Sequence, residues 1–185
     1  MLSKIAFYIG GSVKLADKDR FIIWVVNSKK EIKNIIKIFE FYPPMTSRLK
    51  AQLLFLIACF QLENVDWYLN NRAHKDVLFK IKSSQLDYSY FNEWLSGFIE
   101  AEGYFSIRKL HNNHSFSIEQ KDDKYILEYI KHHFKITNEI RSLNNQLFLI
   151  EVYRKSILLD VIKHFDLFPL LGDKQTSFNK FKHLF

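Results

Sequence analysis

In the second half of the chain, apolar positions alternate between the spacing typical of a helix and that typical of a strand. The predicted elements are a helix over 91–102, strands over 104–109 and 115–120 around a turn at 111–113, a helix over 122–134, strands over 140–143 and 146–153 around a turn at 144–145, and helices over 156–165 and 176–184. Gly103 suits a left-handed helix cap, acidic residues at 122–123 favour the start of a helix, and Ser156 is a typical N-cap. The order αββαββα, with one further helix, predicts an α+β fold with an antiparallel sheet.

The first half of the chain repeats part of this pattern at an offset of 126 residues. The aromatic segment 39–45 matches 165–171, and the apolar stretch 22–26 matches 148–152. The predicted elements of this copy are a helix over 1–9 stopped by Gly10 and Gly11, strands over 12–15 and 21–26, and helices over 29–40 and 46–60. Because the stretch 91–131 has no counterpart in this copy, we expect a first domain without its opening helix and first hairpin.

We therefore expect a truncated first half-domain over 1–60, a linker with some helix over 61–89, and a complete domain over 90–185. A chain of 185 residues is long enough for one large core or two small ones. Its hydrophobic content of 48% excludes a disordered chain. The apolar run 53–60 is too short to cross a bilayer, and the first nine residues lack a secretory pattern, so no membrane partner is expected.

Charge and composition narrow the choice of partners. Lys and Arg number 27 against 20 Asp and Glu, and the net charge of +7 favours a polyanion, although a basic protein without such a partner would have the same charge. The single cysteine, Cys59, excludes an internal disulfide, indicates a reducing compartment, and lies in an apolar run that predicts core packing. Abundant Phe, Tyr, Ile, Lys and Asn have A/T-rich codons, which suggests an organellar gene and a mitochondrial protein, with the chloroplast as the alternative.

The helix over 91–102 carries the most specific motif. Residues 95–103, LSGFIEAEG, resemble the LAGLIDADG motif, with conservative changes at Ser96, Phe98, Glu100 and Glu102. Further segments resemble flanking parts of the same family, namely 10–14, 42–48, 67–72 and 168–174. Nearly the whole chain thus resembles a LAGLIDADG homing endonuclease or maturase of the organellar two-domain type. The resemblance implies the LAGLIDADG homing-endonuclease fold, an αββαββα repeat with a saddle-shaped antiparallel sheet.

The motif helix also carries the candidate chemistry. Gly97 and Ala101 lie four residues apart on one helix face, where small side chains let a second helix approach closely. The resemblance implies that two such helices bring two terminal carboxylates together on a divalent metal, and carboxylate and phosphate oxygens suit Mg²⁺. It assigns the metal-ligand and catalytic role to Glu102, places Lys174 near the cleavage centre as a second catalytic residue, and gives Glu100 no metal role. One motif supplies half of such a site, so Mg²⁺ is expected only if the chain cleaves.

Polar side chains at the hairpins are candidates for nucleic-acid binding. They are Lys14, Lys18, Arg20, Arg108, Lys109, His111, Asn112, Asn113 and His114. Such groups can reach phosphates or base edges, although a solvated hairpin would have the same composition. The adjacent His132 and His133 point in different directions on a helix, so we expect them on its surface rather than at a metal.

Three functions fit these features. The preferred hypothesis is a nucleic-acid-binding protein that derives from a homing endonuclease and does not cleave by itself. It would bind structured RNA, either as an intron maturase or as an accessory of a ribonucleoprotein, the organellar ribosome. The alternative is a Mg²⁺-dependent, site-specific endonuclease for double-stranded DNA, in which another polypeptide supplies the missing half-domain. A protein interaction scaffold, using the motif helix only as an interface, is the third.

Overall fold

The computed structural model describes residues 1–18, 20–79, 89–108 and 113–184, with the backbone alone at positions 76, 77, 108 and 113. The chain divides into two compact units, Met1–Lys82 and Ser83–Phe185, and the boundary falls inside the segment 61–89 that the sequence predicts as a linker. Within these described ranges, no helix is both long and apolar enough to cross a bilayer.

The first unit combines a two-stranded antiparallel sheet with helices. Its elements are α1 (Leu2–Ile9), β1 (Ser12–Ala16), β2 (Phe21–Val25), α2 (Lys29–Phe41), α3 (Ser47–Leu62), α4 (Val65–Asn71) and α5 (Lys75–Leu78). Ser28 caps α2 by accepting a hydrogen bond from the backbone N–H of Glu31 at 3.2 Å. The Glu31 carboxylate in turn accepts from the backbone N–H of Gly11 at 2.9 Å, which ties the end of α1 to the start of α2. Cys59 is half-buried on α3 and is not among the buried residues of that helix, so the core position predicted for it is not reached.

The second unit has the predicted order of elements. They are α6 (Phe91–Glu102), β3 (Gly103–Arg108), β4 (Asn113–Lys121), α7 (Lys124–His133), β5 (Arg141–Ser142), β6 (Leu147–Val152), α8 (Lys155–Leu167) and α9 (Lys174–His183). The four strands form one antiparallel sheet in the order β3-β4-β6-β5. A short 3₁₀ turn, Asn144–Gln146, joins β5 to β6. The αββαββα prediction with a closing helix is confirmed.

The core of the second unit lies on one face of this sheet. Phe105 of β3 stands opposite Phe116 of β4 in the strand register, with 5.2 Å between their ring centroids. Phe165 of α8 and Phe178 and Phe181 of α9 pack around Phe105 at centroid distances of 5.9, 5.5 and 5.4 Å. All five rings are buried. Because α8 and α9 cover this inner face, the alternate residues of each strand point to the opposite, outer face.

The repeat at an offset of 126 residues is confirmed at the level of structure. The first residues of α2 and α8 are 126 positions apart in the sequence, and so are their last residues. The residues that follow the two helices have nearly the same backbone angles: φ −125° and ψ 73° at Tyr42, φ −122° and ψ 78° at Phe168. The two helices differ in burial. Six residues of α8 are buried and none of α2 is, and the sheet of the second unit has four strands against the two described for the first.

Two predictions of helix ends need correction. Gly103 is not a left-handed cap, because its backbone is extended (φ −84°, ψ 154°) and it begins β3. A glycine is favoured there for a different reason: a Cβ would lie 2.5 Å from Cγ2 of Ile99. Ser156 is not the N-cap of α8, because the helix begins one residue earlier and its N-cap is Arg154, without a side-chain cap.

Candidate functional site

Helix α6 presents one buried side and one open side. Phe91, Leu95, Ser96, Phe98 and Ile99 are buried in the second unit. Gly97 and Ala101 lie on one face of the helix, and both are exposed. A Cβ placed on Gly97 would meet no atom within 4 Å, so nothing in the described residues occupies that position on the helix.

Glu102 and Lys174 lie at the same end of α6. Glu102 is the last residue of the helix and is exposed. The ammonium group of Lys174, the first residue of α9, donates to the backbone oxygen of Gly103 at 2.5 Å and to that of Ala101 at 3.4 Å. A cation on the last carbonyls of a helix is favourable because these groups carry the negative end of the helix dipole. The fold therefore places Glu102 and Lys174, to which the resemblance assigned catalytic roles, at the same end of α6.

Glu100, the other acid of the motif, has a different environment. Its carboxylate accepts hydrogen bonds from the backbone N–H groups of Gly172 and Lys174, each at 3.1 Å. Both oxygens are used, one by each donor. Glu100 therefore binds the segment that leads into α9.

The donor set at Glu102 fits part of a metal site. No group of three or more His, Cys, Asp or Glu that could hold a metal occurs in the part of the chain that the structure describes. Glu102 contributes one exposed carboxylate. Mg²⁺ keeps several waters and is commonly bound through one or two carboxylates together with substrate phosphates. Glu102 could therefore serve as one carboxylate ligand of Mg²⁺, with the remaining ligands coming from substrate phosphates, waters or another carboxylate.

The outer face of the four-stranded sheet carries polar and charged side chains of both signs. Strand register places Ser115, Glu119, Lys121, Arg141 and Glu151 on this face. Glu151 accepts from the hydroxyl of Ser115 at 3.2 Å and from the guanidinium of Arg141 at 2.9 Å. Burial raises the pKa of Glu151, but hydrogen bonds from Tyr153 and Ser115 and the charge of Arg141 outweigh it, so the net shift is downward. Arg141 is thus partly neutralised by an ionised carboxylate.

The structure separates the predicted nucleic-acid contacts of the second unit into three groups. Arg108 and Asn113 are paired at the ends of β3 and β4, with their backbones alone described, and Lys109, His111 and Asn112 lie outside the described residues. His114 must be withdrawn from the set. It is buried on the inner face, where its Nε2 lies 3.0 Å from the backbone oxygen of Leu184, so its ring is not available to a ligand on the outer face.

The candidates of the first unit lie at the hairpin of β1 and β2. Lys14 is exposed on β1, and Lys18 is exposed in the turn with a positive φ of 53°. Arg20 forms an ion pair with Asp17 of the same turn. The positive charges of Lys14 and Lys18 are therefore exposed to solvent, whereas that of Arg20 is partly neutralised by the carboxylate of Asp17.

A contact between two histidines, one buried and one half-buried, was missed in the sequence. Nε2 of His133 lies 3.4 Å from Nδ1 of His164, and His164 is 7% exposed among aromatic rings. The prediction that the adjacent histidines lie on the helix surface holds for His132, which is exposed, but not for half-buried His133. Helical spacing could have identified His164, because Leu158, Val161 and Phe165 place it within the buried stripe of α8.

Comparison with known proteins identifies the family. A family model described as LAGLIDADG endonuclease matches residues 1–59 and 95–185. The chain belongs to this LAGLIDADG endonuclease family.

Relatives carry the name "Probable intron-encoded endonuclease aI3". The protein from Dictyostelium citrinum is 44% identical over 195 residues, which cover all of this chain and 78% of that protein. The protein from Dictyostelium discoideum is 40% identical and covers 98% of this chain and 78% of its own length. In Debaryomyces hansenii the match is 36% identical over 98% of this chain but spans only 31% of the longer relative.

Solved structures confirm the fold class. The LAGLIDADG homing endonuclease I-GzeII in complex with its DNA target superposes with a TM-score of 0.78 at 20% identity, covering 98% of this chain and 74% of that one. The LAGLIDADG meganuclease I-CpaMI, bound to uncleaved DNA, gives a TM-score of 0.72 at 20% identity over 98% and 74% of the two chains. The chain therefore has the LAGLIDADG homing-endonuclease fold with antiparallel sheets.

Proposed function

We propose that this chain binds double-stranded DNA and supplies one half of a metal-dependent cleavage centre. The observation that carries the proposal is that the exposed Glu102 ends the motif helix where Lys174 donates to the backbone oxygens on either side of it. Relatives named as probable intron-encoded endonucleases, and solved structures of the same fold in complex with DNA, support a DNA substrate over other polyanions.

The chemistry of this half-site follows from its two charged groups. Glu102 would hold a divalent cation such as Mg²⁺ through its carboxylate. The bound cation would stabilise charge on the attacking and leaving oxygens of a phosphodiester. The ammonium group of Lys174, held on the carbonyls of Ala101 and Gly103, adds fixed positive charge near a phosphate placed at the end of α6.

A second carboxylate is required for the complete centre. These 185 residues contain one LAGLIDADG motif, and the exposed face of Gly97 and Ala101 leaves room for the backbone of another helix. We infer that a second motif helix, on another polypeptide or on a further part of a longer one, packs on this face and supplies the other acid. Both helices would then end at the same point, with their carboxylates side by side.

Duplex DNA would contact the outer face of the four-stranded sheet in the second unit and the β1–β2 hairpin in the first. Lys14 and Lys18 of the first unit and Lys121 and Arg141 of the second are basic residues suited to phosphates. In this proposal the net charge of +7 supplies affinity that does not depend on base sequence. The polar side chains between the basic residues would read base edges in a groove.

Binding of structured RNA without cleavage is the second candidate, and one observation favours it. Tyr104 lies on the outer face directly after the motif and is 65% exposed. An exposed aromatic ring on a sheet can stack on an unpaired base, as RNA-binding sheets do. In this alternative the chain acts as an intron maturase or as an accessory of the organellar ribosome, and Glu102 has no metal to bind.

Crosslinking and sequencing of the nucleic acid bound to the native protein separate the two candidates. Recovery of one duplex DNA site supports the endonuclease, and recovery of structured RNA in its place overturns it. No affinity for either at low salt would favour a protein interaction scaffold.

Cleavage is then measured on the recovered DNA with the protein in its native assembly. We expect Mg²⁺-dependent double-strand cuts that Glu102→Gln abolishes while DNA affinity is retained. Glu139→Gln, which removes an exposed carboxylate from the loop before β5, is the matched control and should cut normally. Equal cutting by Glu102→Gln would overturn the role of Glu102.

We also propose that the protein acts in the mitochondrion, because its composition favours residues with A/T-rich codons. The nucleotide composition of the gene tests this, and a G/C-rich gene would contradict it.

A further inference from the structure

Two segments far apart in sequence hold each other by hydrogen bonds that run in opposite directions. The carboxylate of Glu100 accepts from the backbone of Gly172 and Lys174. The side chain of Lys174 donates back to the backbone of Ala101 and Gly103. The end of α6 and the start of α9 therefore form a closed arrangement in which each segment supplies one side chain. We call these residues the 100–174 clamp.

Gly172 is part of the clamp because of its size. A Cβ at this position would lie 2.4 Å from Oε1 and 2.9 Å from Cδ of Glu100. Real Cβ atoms do not approach other heavy atoms so closely, so an alanine would displace the carboxylate. Because the carboxylate is the flexible end of its side chain, it would shift, and the hydrogen bonds that the two backbone N–H groups donate to it would weaken.

The clamp also requires a carboxylate rather than an amide. Oε2 of Glu100 accepts from the N–H of Gly172, and Oε1 accepts from that of Lys174. A glutamine has one acceptor oxygen, and its NH₂ group would face a second donor. Glu100→Gln therefore keeps the shape of the side chain but cannot satisfy both N–H groups. An aspartate keeps both oxygens on a stem that is shorter by one methylene.

We propose that Glu100 is a positioning residue, which fixes the backbone of residues 172–174 and thereby holds the ammonium group of Lys174 beside Glu102. The importance of this position for cleavage rests on the function proposed above. The positioning itself does not, because it concerns contacts within the second unit. The resemblance to the motif gave Glu100 no metal role, whereas the structure connects it to Lys174 through the peptide segment 172–174.

Competitive acetylation of lysines, read by mass spectrometry, tests the inference on the full chain. The rate at Lys174 is measured relative to Lys180, an exposed lysine on the same helix. In the native protein Lys174 should react slowly, because its ammonium group donates to two carbonyls. Glu100→Gln and Gly172→Ala should each raise the ratio by about tenfold, since the lost hydrogen bonds are to a charged group. Glu139→Gln should leave it unchanged.

Two further measurements separate positioning from loss of folding. Amide hydrogen exchange at Gly172 and Lys174 should accelerate in Glu100→Gln while β4, which is hydrogen-bonded on both sides within the sheet, stays protected. Glu100→Asp should give an acetylation ratio closer to native than Glu100→Gln does, because it restores two acceptor oxygens. A native ratio in folded Glu100→Gln, or equal ratios in the Asp and Gln variants, would overturn the proposal.

The outcome is independent of the cleavage assay. If Lys174 becomes reactive in Glu100→Gln but the native assembly cuts no DNA, the positioning stands and the endonuclease function fails. If the native assembly cuts DNA and Glu100→Gln leaves the acetylation ratio unchanged, the endonuclease function stands and the positioning role of Glu100 fails.

Discussion

The rings of His133 and His164 meet edge to face inside the second unit, at an interplanar angle of 87° and with 3.4 Å between Nε2 of the first and Nδ1 of the second. Burial lowers the pKa of both histidines. Repulsion by a neighbouring histidine lowers each pKa further, from His132 at His133 and from His133 at His164. The pKa of His164 falls to about 4. The pair is therefore neutral in the folded protein at pH 7.

This pair should make the folded state sensitive to acid. The unfolded chain takes up a proton on each histidine near pH 6.5, whereas folded His164 does so only near pH 4. Between these values the unfolded state binds more protons, so the stability present above pH 6.5 is lost as the pH falls towards 4. The loss from His164 should be on the order of 3 kcal/mol. Urea unfolding at intervals from pH 7.5 to 4 measures it.

His164→Leu should flatten the dependence of stability on pH, because a leucine fits the buried stripe of α8 and has no group that takes up a proton. His183→Gln removes an exposed histidine at the end of α9 and should keep the native slope. Equal slopes for native protein and His164→Leu would contradict the assignment.

Local sequence patterns predicted the elements well but not the contacts between distant segments. The offset of 126 residues located α2 and α8, because apolar spacing and an aromatic-proline end are local properties. The role predicted for Gly103, a left-handed helix cap, was wrong, because a glycine is favoured there by the crowding of Ile99 against the start of β3. The bonds of Glu100 to the segment before α9 span more than 70 residues, and no local pattern records such a pairing.

The candidate site shows the same division. Glu102 and Lys174, which the resemblance singled out, both lie at one end of α6, and their catalytic roles stay predictions. The motif could not show that His114 faces inward, because the face of a strand residue depends on register, and a shift of one residue reverses it.

Ser96→Ala should destabilise the second unit. The Ser96 hydroxyl is buried on α6 and donates to the backbone oxygen of Phe168 at 2.6 Å, which joins the motif helix to the end of α8. Its removal takes a donor from a carbonyl that lies 72 residues away in sequence. We expect a loss of about 1–2 kcal/mol in the free energy of unfolding, measured by urea denaturation.

The control for this change is Ser177→Ala on the exposed side of α9. It has the same gain in helix propensity without the hydrogen bond to Phe168, so it should be neutral or slightly stabilising. If Ser96→Ala is no less stable than Ser177→Ala, the bond to Phe168 contributes nothing.

The two glycines of the motif should respond oppositely to alanine. Gly97 is inside a helix with no atom within 4 Å of a new Cβ, so Gly97→Ala should stabilise the chain by about 0.5–1 kcal/mol. At Gly103 a Cβ would meet Cγ2 of Ile99 at 2.5 Å and its backbone oxygen at 3.0 Å, so Gly103→Ala should destabilise by about 1–3 kcal/mol. Each glycine serves as the control for the other in thermal unfolding. A lower melting temperature for Gly97→Ala than for Gly103→Ala would refute both accounts.

The outer face of the sheet should bind nucleic acid more tightly when Glu151 loses its charge. In the native protein, Glu151 forms an ion pair with Arg141 at 2.9 Å and faces the same side as Lys121. Glu151→Gln would free the guanidinium for a phosphate. Affinity for a random-sequence DNA duplex, measured by fluorescence anisotropy from 50 to 200 mM KCl, should then rise, and the slope of log K against log salt should become more negative by about 0.9.

The matched control is Glu128→Gln, which frees Lys124 from an ion pair of 3.1 Å on α7. The two variants have the same net charge, but α7 packs on the inner side of the sheet through Ile126, Leu127 and Ile130, so Lys124 faces away from the outer surface. Non-specific attraction would strengthen binding equally in both variants. A larger effect of Glu151→Gln identifies the outer face as the binding surface, and equal effects would place the nucleic acid elsewhere on the molecule.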